Sequence, residues 1–273
     1  MLPVLFTIGP IKIYTYGVFL VLAFFWALFI LWKNIRLTSY KEEEIFDGVF
    51  SAIFFGLFLG RLVYVILNFD QFGFSFLKFI LINGYPGIAV YGFLFGFFFY
   101  FWIFTKINKL KYLEVVDYLM TSFFIALVLG KLGGFFSGAE VGTKTSFFLK
   151  TKYLGYDGLR HLTAFYEGLF FIIAAFFSQK ILLEIRKEKF FKGFVFYLSV
   201  WYFALVNLLF DKIKENKLYF LGLSFNFLVS LILVLTIGGY FVYYFRSAIL
   251  NFLKIYGHKI IKKIHFRTKR KTD

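Results

Sequence analysis

The sequence predicts an all-α, polytopic membrane protein with about seven transmembrane helices. Of its 273 residues, 60% are hydrophobic and 25% are aromatic, whereas soluble domains contain roughly 45–50% apolar residues. The apolar residues form long runs with few charges, and a helix needs about 20 such residues to cross the hydrocarbon core of a bilayer. The 46 phenylalanines fit a lipid-facing surface. They do not by themselves indicate a function.

The apolar runs define seven spans in chain order. The first run begins within the N-terminal 15 residues and has no small-residue cleavage site behind it, which favours a retained span over a cleaved signal peptide. The others follow at intervals that leave connecting segments of moderate length. The predicted spans are 13–32, 45–67, 87–105, 115–130, 164–178, 193–210 and 218–245.

The basic residues predict the orientation of these spans. Loops on one side, together with the C-terminal tail, carry 20 of the 31 Lys and Arg residues, and the other side carries 10. The positive-inside rule places the richer side in the cytoplasm and the N-terminus outside. We therefore expect one integral membrane domain over residues 1–245, with outward-facing segments at 68–86 and 131–163, and a basic cytoplasmic tail over 246–273.

The net charge of +16 and the absence of cysteine exclude several kinds of site. Without cysteine the chain has no disulfide, thiolate nucleophile or Cys-ligated metal. Of the three histidines, His258 and His265 lie in the tail and only His161 lies near the membrane, so we expect neither a metal nor a cofactor. The tail suits anionic headgroups, and the membrane context favours that partner over nucleic acid.

The first three spans contribute three polar candidates. Tyr16 opens the first span and is either an interfacial anchor or a catalytic group. Arg61, in "GLFLGRLVYVILN", costs about 2.5–3.5 kcal/mol to insert and therefore faces a cavity or a partner, unless it reaches the outer headgroups by snorkelling. Tyr91 precedes Gly92 and Gly96, whose spacing is typical of close helix packing.

The second half of the chain holds a denser group of polar residues. The stretch "GKLGGFFSGAEVGTKTS", residues 130–146, follows the fourth span with small residues, a carboxylate and hydroxyls that would line a cavity. The stretch "YDGLRHLTAFYEGLFF" brings four polar side chains to the entry of the fifth span. They are Arg160, His161, Tyr166 and Glu167. Glu167 is either a partner of the helix dipole or a substrate contact.

These motifs together resemble the prolipoprotein diacylglyceryl transferase family over nearly the whole chain. The matching pieces occur in the family's order, beginning with "IGPIKIYTYG" and "GRLVYV". The glycine-spaced start of the third span follows, then the signature G-[RK]-x-G-x-F-x-x-G-x-x-x-G-x-x-[ST], and finally H-x-T-x-[FL]-Y-E. Each piece alone is weakly specific, but their combined order is fairly specific.

The resemblance implies a reaction and a site. The family moves the diacylglyceryl group of phosphatidylglycerol to the lipobox cysteine thiol of a prolipoprotein in the bacterial inner membrane, and its site opens outward and laterally to lipid. Carried over to this chain, Lys131 stands where the family has the arginine that holds the phosphate. The resemblance carries over Tyr16, Arg61, His161, Tyr166 and Glu167 as well. Further substrate-binding candidates from the two polar stretches are Gly134, Ser137, Gly142 and Arg160.

The chain departs from the family at several motif positions. Tyr91 replaces a usual histidine, and both asparagines and the glutamate of the signature are lost. Glu140 lies one residue after the glutamate position, which turns a helix by about 100°. The family's Arg and Glu of the sixth span fall at Phe203 and Asn207. The acid–base role is therefore left open among Tyr91, Glu140 and His161.

Two functions from different classes remain. The first is a working transferase in which Arg61 and Lys131 wall one shared hollow at the outer leaflet and hold the phosphate. The second is a catalytically silent relative that binds or transports a phospholipid, which the lost motif residues favour. An unrelated transporter is a third interpretation, but the sequence shows none of the internal repeats typical of that class.

Overall fold

The computed structural model describes residues 2–82, 84–247 and 250. Seven of its helices are long and apolar enough to cross a membrane, which confirms the predicted polytopic, all-α class. Two short helices lie between the second and third spans. The helices are α1 Thr15–Ile35, α2 Glu42–Leu67, α3 Phe69–Phe72, α4 Phe76–Ile80, α5 Val90–Ile107, α6 Tyr112–Ser137, α7 Thr163–Ile185, α8 Phe194–Phe210 and α9 Phe225–Tyr244.

The glycine-rich stretch after the fourth predicted span is helical, which corrects the boundary drawn from the sequence. Helix α6 continues to Ser137, so the connecting segment begins at Gly138 and not at 131. The glycines in this last part of α6 serve packing, since a Cβ on Gly133 would lie 2.5 Å from the Cβ of Phe19 in α1. Gly138 ends the helix with φ 75°, a left-handed conformation that glycine adopts without steric cost.

Helices α2 and α5 pack closely through glycines, as the small-residue spacing predicts. A Cβ on Gly92 would lie 3.1 Å from the Cα of Gly60, and one on Gly96 would lie 3.0 Å from the Cα of Gly56. Because glycines occupy the facing sides of α2 and α5, the two helix backbones approach each other closely, which strengthens van der Waals contact between these spans.

Three short antiparallel hairpins lie in the connections before α1, between α6 and α7, and between α8 and α9. The strands are β1 Val4–Ile8 with β2 Ile11–Tyr14, β3 Lys150–Thr151 with β4 Arg160–His161, and β5 Tyr219–Phe220 with β6 Leu223–Ser224. Gly9 and Pro10 form the turn between β1 and β2. Successive spans alternate in direction, so all three hairpins lie at one end of the bundle, which we call the hairpin end.

Hydrogen bonds join these connections to the end of α6 and to one another. The Leu2 amide donates to the Phe136 carbonyl, and the Thr143 amide donates to the Ile213 carbonyl. The hairpin end is the side that the basic residues predict to face outward, and this orientation stays a prediction. The proposed tail over 246–273 lies almost wholly outside the described residues.

Helix α6 is the centre of the bundle and packs against α1, α7 and α8. Its buried Asp117 caps the neighbouring helix α8, because its two carboxylate oxygens accept hydrogen bonds from the amides of Gly193 (2.5 Å) and Phe196 (2.8 Å). A carboxylate at a helix N-terminus pairs with otherwise unsatisfied amides. The carboxylate thus fixes the start of α8 against α6.

Candidate active site

A network of four charged side chains lies at the hairpin end of the bundle. The Lys131 ammonium is 2.5 Å from a carboxylate oxygen of Glu140 and 2.6 Å from one of Glu167. The other Glu167 oxygen is 2.5 Å from the ammonium of Lys214. We call Lys131, Glu140, Glu167 and Lys214 the charged network. The structure thus brings together three residues that the sequence analysis singled out and one that it did not.

The charged network is buried to different depths. The Glu167 side chain is completely buried, whereas that of Glu140 is 31% exposed. Only the contact between Lys131 and Glu140 has hydrogen-bond geometry, and the contacts to Glu167 are ion pairs at short distance. Two ammonium groups and two carboxylates give a neutral set, which lowers the cost of burying each charge.

Different elements supply the four charges. Lys131 lies near the end of α6, and Glu167 lies in the second turn of α7. Lys214 follows a single 3₁₀ turn, Asp211–Ile213, after α8. Glu140 lies just beyond α6. The network therefore forms only when the ends of α6, α7 and α8 meet.

Gly134 and Ser137 position Glu140. A Cβ on Gly134 would lie 3.1 Å from the nearer Glu140 oxygen, so glycine leaves the space that this carboxylate fills. The Ser137 hydroxyl accepts a hydrogen bond from the Ala139 amide (3.2 Å) and holds the turn that follows α6. Gly134 and Ser137, which the sequence predicts to bind substrate, thus position the neighbouring Glu140 within the site.

Tyr16 lies beside the charged network. Its Cδ2 would be 3.4 Å from a Cβ on Gly133, and the charges of Glu140 and Lys131 act on its hydroxyl. Its side chain is partly exposed. Tyr16 is therefore placed to contact a ligand that reaches Lys131.

His161 and Tyr166 line a cavity of about 380 Å³ together with Phe147, Leu169 and Phe210. The Tyr166 hydroxyl donates to the Leu149 carbonyl (2.5 Å). The ring centroids of His161 and Tyr166 lie 6.2 Å apart. The buried Nδ1 of His161 has no hydrogen-bond partner among the described residues. Burial lowers the pKa of His161 below its usual value of 6.5.

This cavity borders the charged network. Ile213 and Tyr166 line the cavity, and the residues that follow them, Lys214 and Glu167, belong to the network. The cavity wall is otherwise mostly apolar, as a site for an acyl chain or an apolar peptide segment requires. A ligand in this cavity therefore lies one residue along the chain from Lys214 and from Glu167.

Gly142 and Arg160 hold the segment that carries Lys214. Gly142 pairs with Lys214 in an antiparallel bridge, and a Cβ on Gly142 would lie 2.4 Å from the His161 carbonyl oxygen. The Arg160 guanidinium donates to the Gly142 carbonyl (3.0 Å) and pairs with Glu215 (3.1 Å). Both residues are therefore positioning residues for the site.

Arg61 does not share a hollow with Lys131, contrary to the expectation from the sequence. Its guanidinium donates to three backbone carbonyls, those of Phe79 (2.9 Å), Gly87 (2.8 Å) and Lys78 (2.9 Å). Among the described residues, the contacts of Arg61 and Lys131 have no member in common. Arg61 thus binds the connecting segment between α2 and α5, and its donors are directed to the backbone.

Tyr91 lies on α5, and its hydroxyl has a partner outside the charged network. Its hydroxyl is 2.5 Å from that of Ser230 in α9, and its ring packs against Phe203 with centroids 5.8 Å apart. It lines an apolar cavity of about 400 Å³ between α5, α8 and α9. The structure brings Glu140 and Tyr16 to Lys131, and His161 to the adjoining cavity, but it gives Tyr91 a partner on another helix.

Lys214 is the member of the charged network that the sequence analysis did not single out, since it counted this lysine only among the outward loop charges. A signal for it lies in the sixth span, where the resemblance aligns Phe203 and Asn207 with charged residues of the family. Asn207 accepts a hydrogen bond from Lys214 (3.3 Å). Lys214 lies seven residues beyond Asn207 and reaches the site because α8 ends between these two residues. In the described part of the chain no cluster of metal-ligating side chains occurs, and the metal-free, cofactor-free site stays a prediction.

Comparison with known proteins shows the family to which this chain is similar. Residues 3–244 match the family model described as prolipoprotein diacylglyceryl transferase. The chain is 24% identical over 243 residues to a protein of Clostridium novyi, covering 86% of this chain and 93% of the relative. It is 26% identical over 241 residues to one of Clostridium perfringens, covering 85% and 90%.

A protein of Clostridioides difficile is 25% identical over 245 residues, covering 89% of this chain and 95% of the relative. All three relatives bear the name phosphatidylglycerol–prolipoprotein diacylglyceryl transferase. Because the family model spans nearly all of the described residues, including every member of the charged network, this chain belongs to the prolipoprotein diacylglyceryl transferase family.

Proposed function

We propose that this protein transfers the diacylglyceryl group of phosphatidylglycerol to the lipobox cysteine thiol of prolipoproteins, as a multi-pass enzyme of the bacterial plasma membrane. The observation that carries the proposal is a family match over residues 3–244 in a chain that pairs two partly buried ammonium groups with one buried carboxylate near an apolar cavity. The substrates named for the relatives are a phospholipid and a lipoprotein precursor, and both contain apolar and polar parts.

The reaction determines which groups the site needs. The cysteine sulfur forms a bond to the glycerol carbon of the lipid, and the bond from that carbon to a phosphate oxygen breaks. Glycerol 1-phosphate leaves with the bonding electron pair, and the thiol proton passes to a base. Cations must stabilise the growing charge on the leaving phosphate, and a base of suitable pKa must accept the proton.

Lys131 and Lys214 are the cations for the phosphate. Both are already paired with carboxylates, so a phosphate must compete with one of them. Glu140 is the partner that gives way, because its side chain is 31% exposed and lies on the segment after α6, whereas Glu167 is completely buried between the two lysines. The phosphate thus replaces Glu140 on Lys131, and Glu167 continues to hold both ammonium groups in place.

His161 is the general base in this account. Its ring lines the cavity beside the network, and its lowered pKa keeps the imidazole neutral near pH 7. A thiol of pKa about 8.5 gives its proton more readily to an imidazole than to a carboxylate. Tyr91 already pairs with Ser230 and Glu140 with Lys131. Tyr16 and Tyr166 line the approach to the reacting groups.

Complementation tests the proposal. The full chain is expressed in bacterial cells depleted of their own transferase, and lipoprotein maturation and growth are followed. The wild-type chain and the Lys12→Ala variant, which removes an exposed cation from β2, should restore growth, and Lys131→Ala should not. Failure of a well-expressed wild-type chain contradicts the proposal.

A second candidate function is phospholipid binding without transfer. The observation that favours it is the pairing of Lys131 with two carboxylates in a chain that lacks several family motif residues. In that case the purified chain binds phosphatidylglycerol stoichiometrically but leaves a lipobox peptide unmodified. The two functions therefore differ in the product and not in the binding.

A further inference from the structure

Asp211 is a buried carboxylate that the proposed mechanism does not use. It is the first residue of the 3₁₀ turn after α8, and only 4% of its surface is exposed. Burial of a charge is costly unless close partners bind and neutralise it. The partners of Asp211 therefore show which parts of the chain this side chain holds together.

The two carboxylate oxygens of Asp211 bind two places that follow Lys214 in the chain. One oxygen accepts a hydrogen bond from the Ser224 hydroxyl (2.7 Å), and the other lies 3.6 Å from the Lys217 ammonium. Ser224 is also the N-cap of α9, because its hydroxyl oxygen accepts a hydrogen bond from the Phe227 amide (3.4 Å). The carboxylate thus joins the end of α8 to the start of α9.

The same contacts close a loop around Lys214. The contact between Asp211 and Lys217 joins the two ends of residues 211–217, which we call the Lys214 loop. Within this loop, the Asp211 carbonyl accepts a hydrogen bond from the Lys214 amide (3.2 Å). Lys214 therefore lies in the middle of a loop whose base is Asp211.

Backbone contacts hold the outer side of the Lys214 loop. Two hydrogen bonds join the loop to the segment 141–143, one on each side of Lys214 (2.8 and 3.0 Å). The backbone of Lys214 is thus fixed both at the base of the loop and along its edge. From this position the Lys214 ammonium lies 2.5 Å from the Glu167 carboxylate.

A fixed backbone is important here because a lysine side chain is long and flexible. Lys214 follows the 3₁₀ turn, so no helix continues through it to hold its backbone. A group that binds a phosphate contributes most when it is held in place before the substrate arrives. The Lys214 loop supplies this order, and the Asp211 carboxylate closes the loop.

We propose that Asp211 is a positioning residue for the transfer reaction. Its carboxylate, bound to Ser224 and Lys217, holds the Lys214 loop in the arrangement that places the Lys214 ammonium against the lipid phosphate. Asp211 acts through Lys214 in this role and does not itself contact the substrate. The inference rests on the proposed function, in which Lys214 is one of the two cations for the phosphate.

Steady-state transfer by the purified full chain tests this role, with phosphatidylglycerol and a lipobox peptide varied in turn. Ser224→Ala removes the hydroxyl that binds Asp211, and Ser224→Thr keeps it. Asp211→Asn keeps the size of the side chain and its acceptor for Ser224 but removes the charge. The matched control is Ser75→Ala, because Ser75 caps α4 through a hydrogen bond of the same length (3.4 Å, from the Lys78 amide) and binds no carboxylate in the described part of the chain.

We expect kcat/KM for phosphatidylglycerol to fall about tenfold in Ser224→Ala, since a hydrogen bond to a charged group is lost. The KM for the peptide should stay unchanged, because Lys214 binds the lipid phosphate. Asp211→Asn should show a smaller decrease of the same kind, and Ser224→Thr and Ser75→Ala should resemble the wild-type chain.

Three results overturn the role of Asp211 while the wild-type chain is active. They are equal kcat/KM for the lipid in Ser224→Ala and Ser75→Ala, a parallel rise in the KM of both substrates, and unchanged kinetics in Asp211→Asn. Each would show that the contact between Asp211 and Ser224 serves only the start of α9. A wild-type chain that leaves the peptide unmodified instead contradicts the proposed function, and this inference with it.

Discussion

At the residue scale, the site depends on how one buried carboxylate is neutralised. Glu167 has no exposed surface and contacts ammonium groups on both of its oxygens. A carboxylate in such a place is stable only with close cations, because transfer of an isolated charge out of water is strongly unfavourable. The pairing therefore fixes Lys131 and Lys214 at a short separation before any substrate arrives.

The variant Lys214→Ala tests this pairing. Removal of one partner of a buried ion pair costs about 3–5 kcal/mol of unfolding free energy, so we expect a large drop in thermal stability in detergent. The double variant Lys214→Met, Glu167→Gln removes both charges and should be clearly more stable than Lys214→Ala. Stability of Lys214→Ala equal to that of Lys12→Ala contradicts the assigned contact.

The variant Glu140→Gln separates the two roles that remain for Glu140. If Glu140 only competes with the phosphate, its loss favours phosphatidylglycerol by about 1 kcal/mol, the value of a partly exposed ion pair. The KM for the lipid should then fall about fivefold with little change in kcat. A large decrease in kcat instead identifies Glu140 as the general base.

The pH dependence of transfer tests His161. Burial places the pKa of this imidazole below 6.5, so the neutral form that accepts a proton persists at pH 7 and is lost as the pH falls through that lowered pKa. We expect kcat/KM to be flat from pH 7 upward until the thiol ionises, and to fall about tenfold per pH unit at the acidic end. His161→Gln should abolish this acidic limb together with the activity. An unchanged profile in His161→Gln rules out the assignment.

At the element scale, the connection between α2 and α5 is held to the bundle by Arg61. Three carbonyls of this connection accept its hydrogen bonds, and the guanidinium lies over the rings of Tyr64 and Phe72. The fork of N–H donors suits several carbonyls at once, which a lysine ammonium does not reproduce. Arg61 is thus the attachment point of helices α3 and α4.

Limited proteolysis tests the role of Arg61. In both Arg61→Ala and Arg61→Lys we expect trypsin to cleave at Lys78 faster than in the wild-type chain, by at least tenfold, since several hydrogen bonds of about 1 kcal/mol each are lost. The control is Arg36→Ala at the exposed end of α1. Unchanged cleavage together with a raised KM for phosphatidylglycerol restores the phosphate-binding role that the sequence suggested for Arg61.

The fourth predicted span, 115–130, is shorter than helix α6, which continues to Ser137. Lys131 and the glycines around it are atypical of a transmembrane helix, so the apolar run stops at 130. In the structure these residues continue α6 because Phe19 and Glu140 pack against Gly133 and Gly134. Tertiary contacts of this kind have no local signal. They become visible only when α1 and the segment after α6 are in place.

At the scale of the whole molecule, the seven spans and their order follow from length and hydropathy, which are properties of the chain alone. The motif order also predicts that Lys131, Glu140 and Glu167 belong to one site, and the ion pairs unite them. Lys214 was not predicted because it comes from a distant loop and lies at no motif position. The prediction that Arg61 and Lys131 share one hollow was wrong, because residues of one motif set can serve different parts of the fold.

The orientation and the basic tail remain predictions at this scale. The hairpin end carries the charged network, so the positive-inside rule places the site at the outer leaflet. A lipoprotein precursor delivered across the membrane meets the site there. Both statements depend on the distribution of Lys and Arg along the chain.

Transfer by the purified full chain is the most direct measurement of the central claim. The protein is mixed with phosphatidylglycerol and a lipobox peptide, and the mass of the peptide and the release of glycerol phosphate are followed. The account predicts that the peptide gains one diacylglyceryl group with the wild-type chain and with Lys12→Ala, but not with Lys131→Ala or with a peptide whose cysteine is replaced by serine. An unmodified peptide with the wild-type chain, or full transfer by Lys131→Ala, contradicts it.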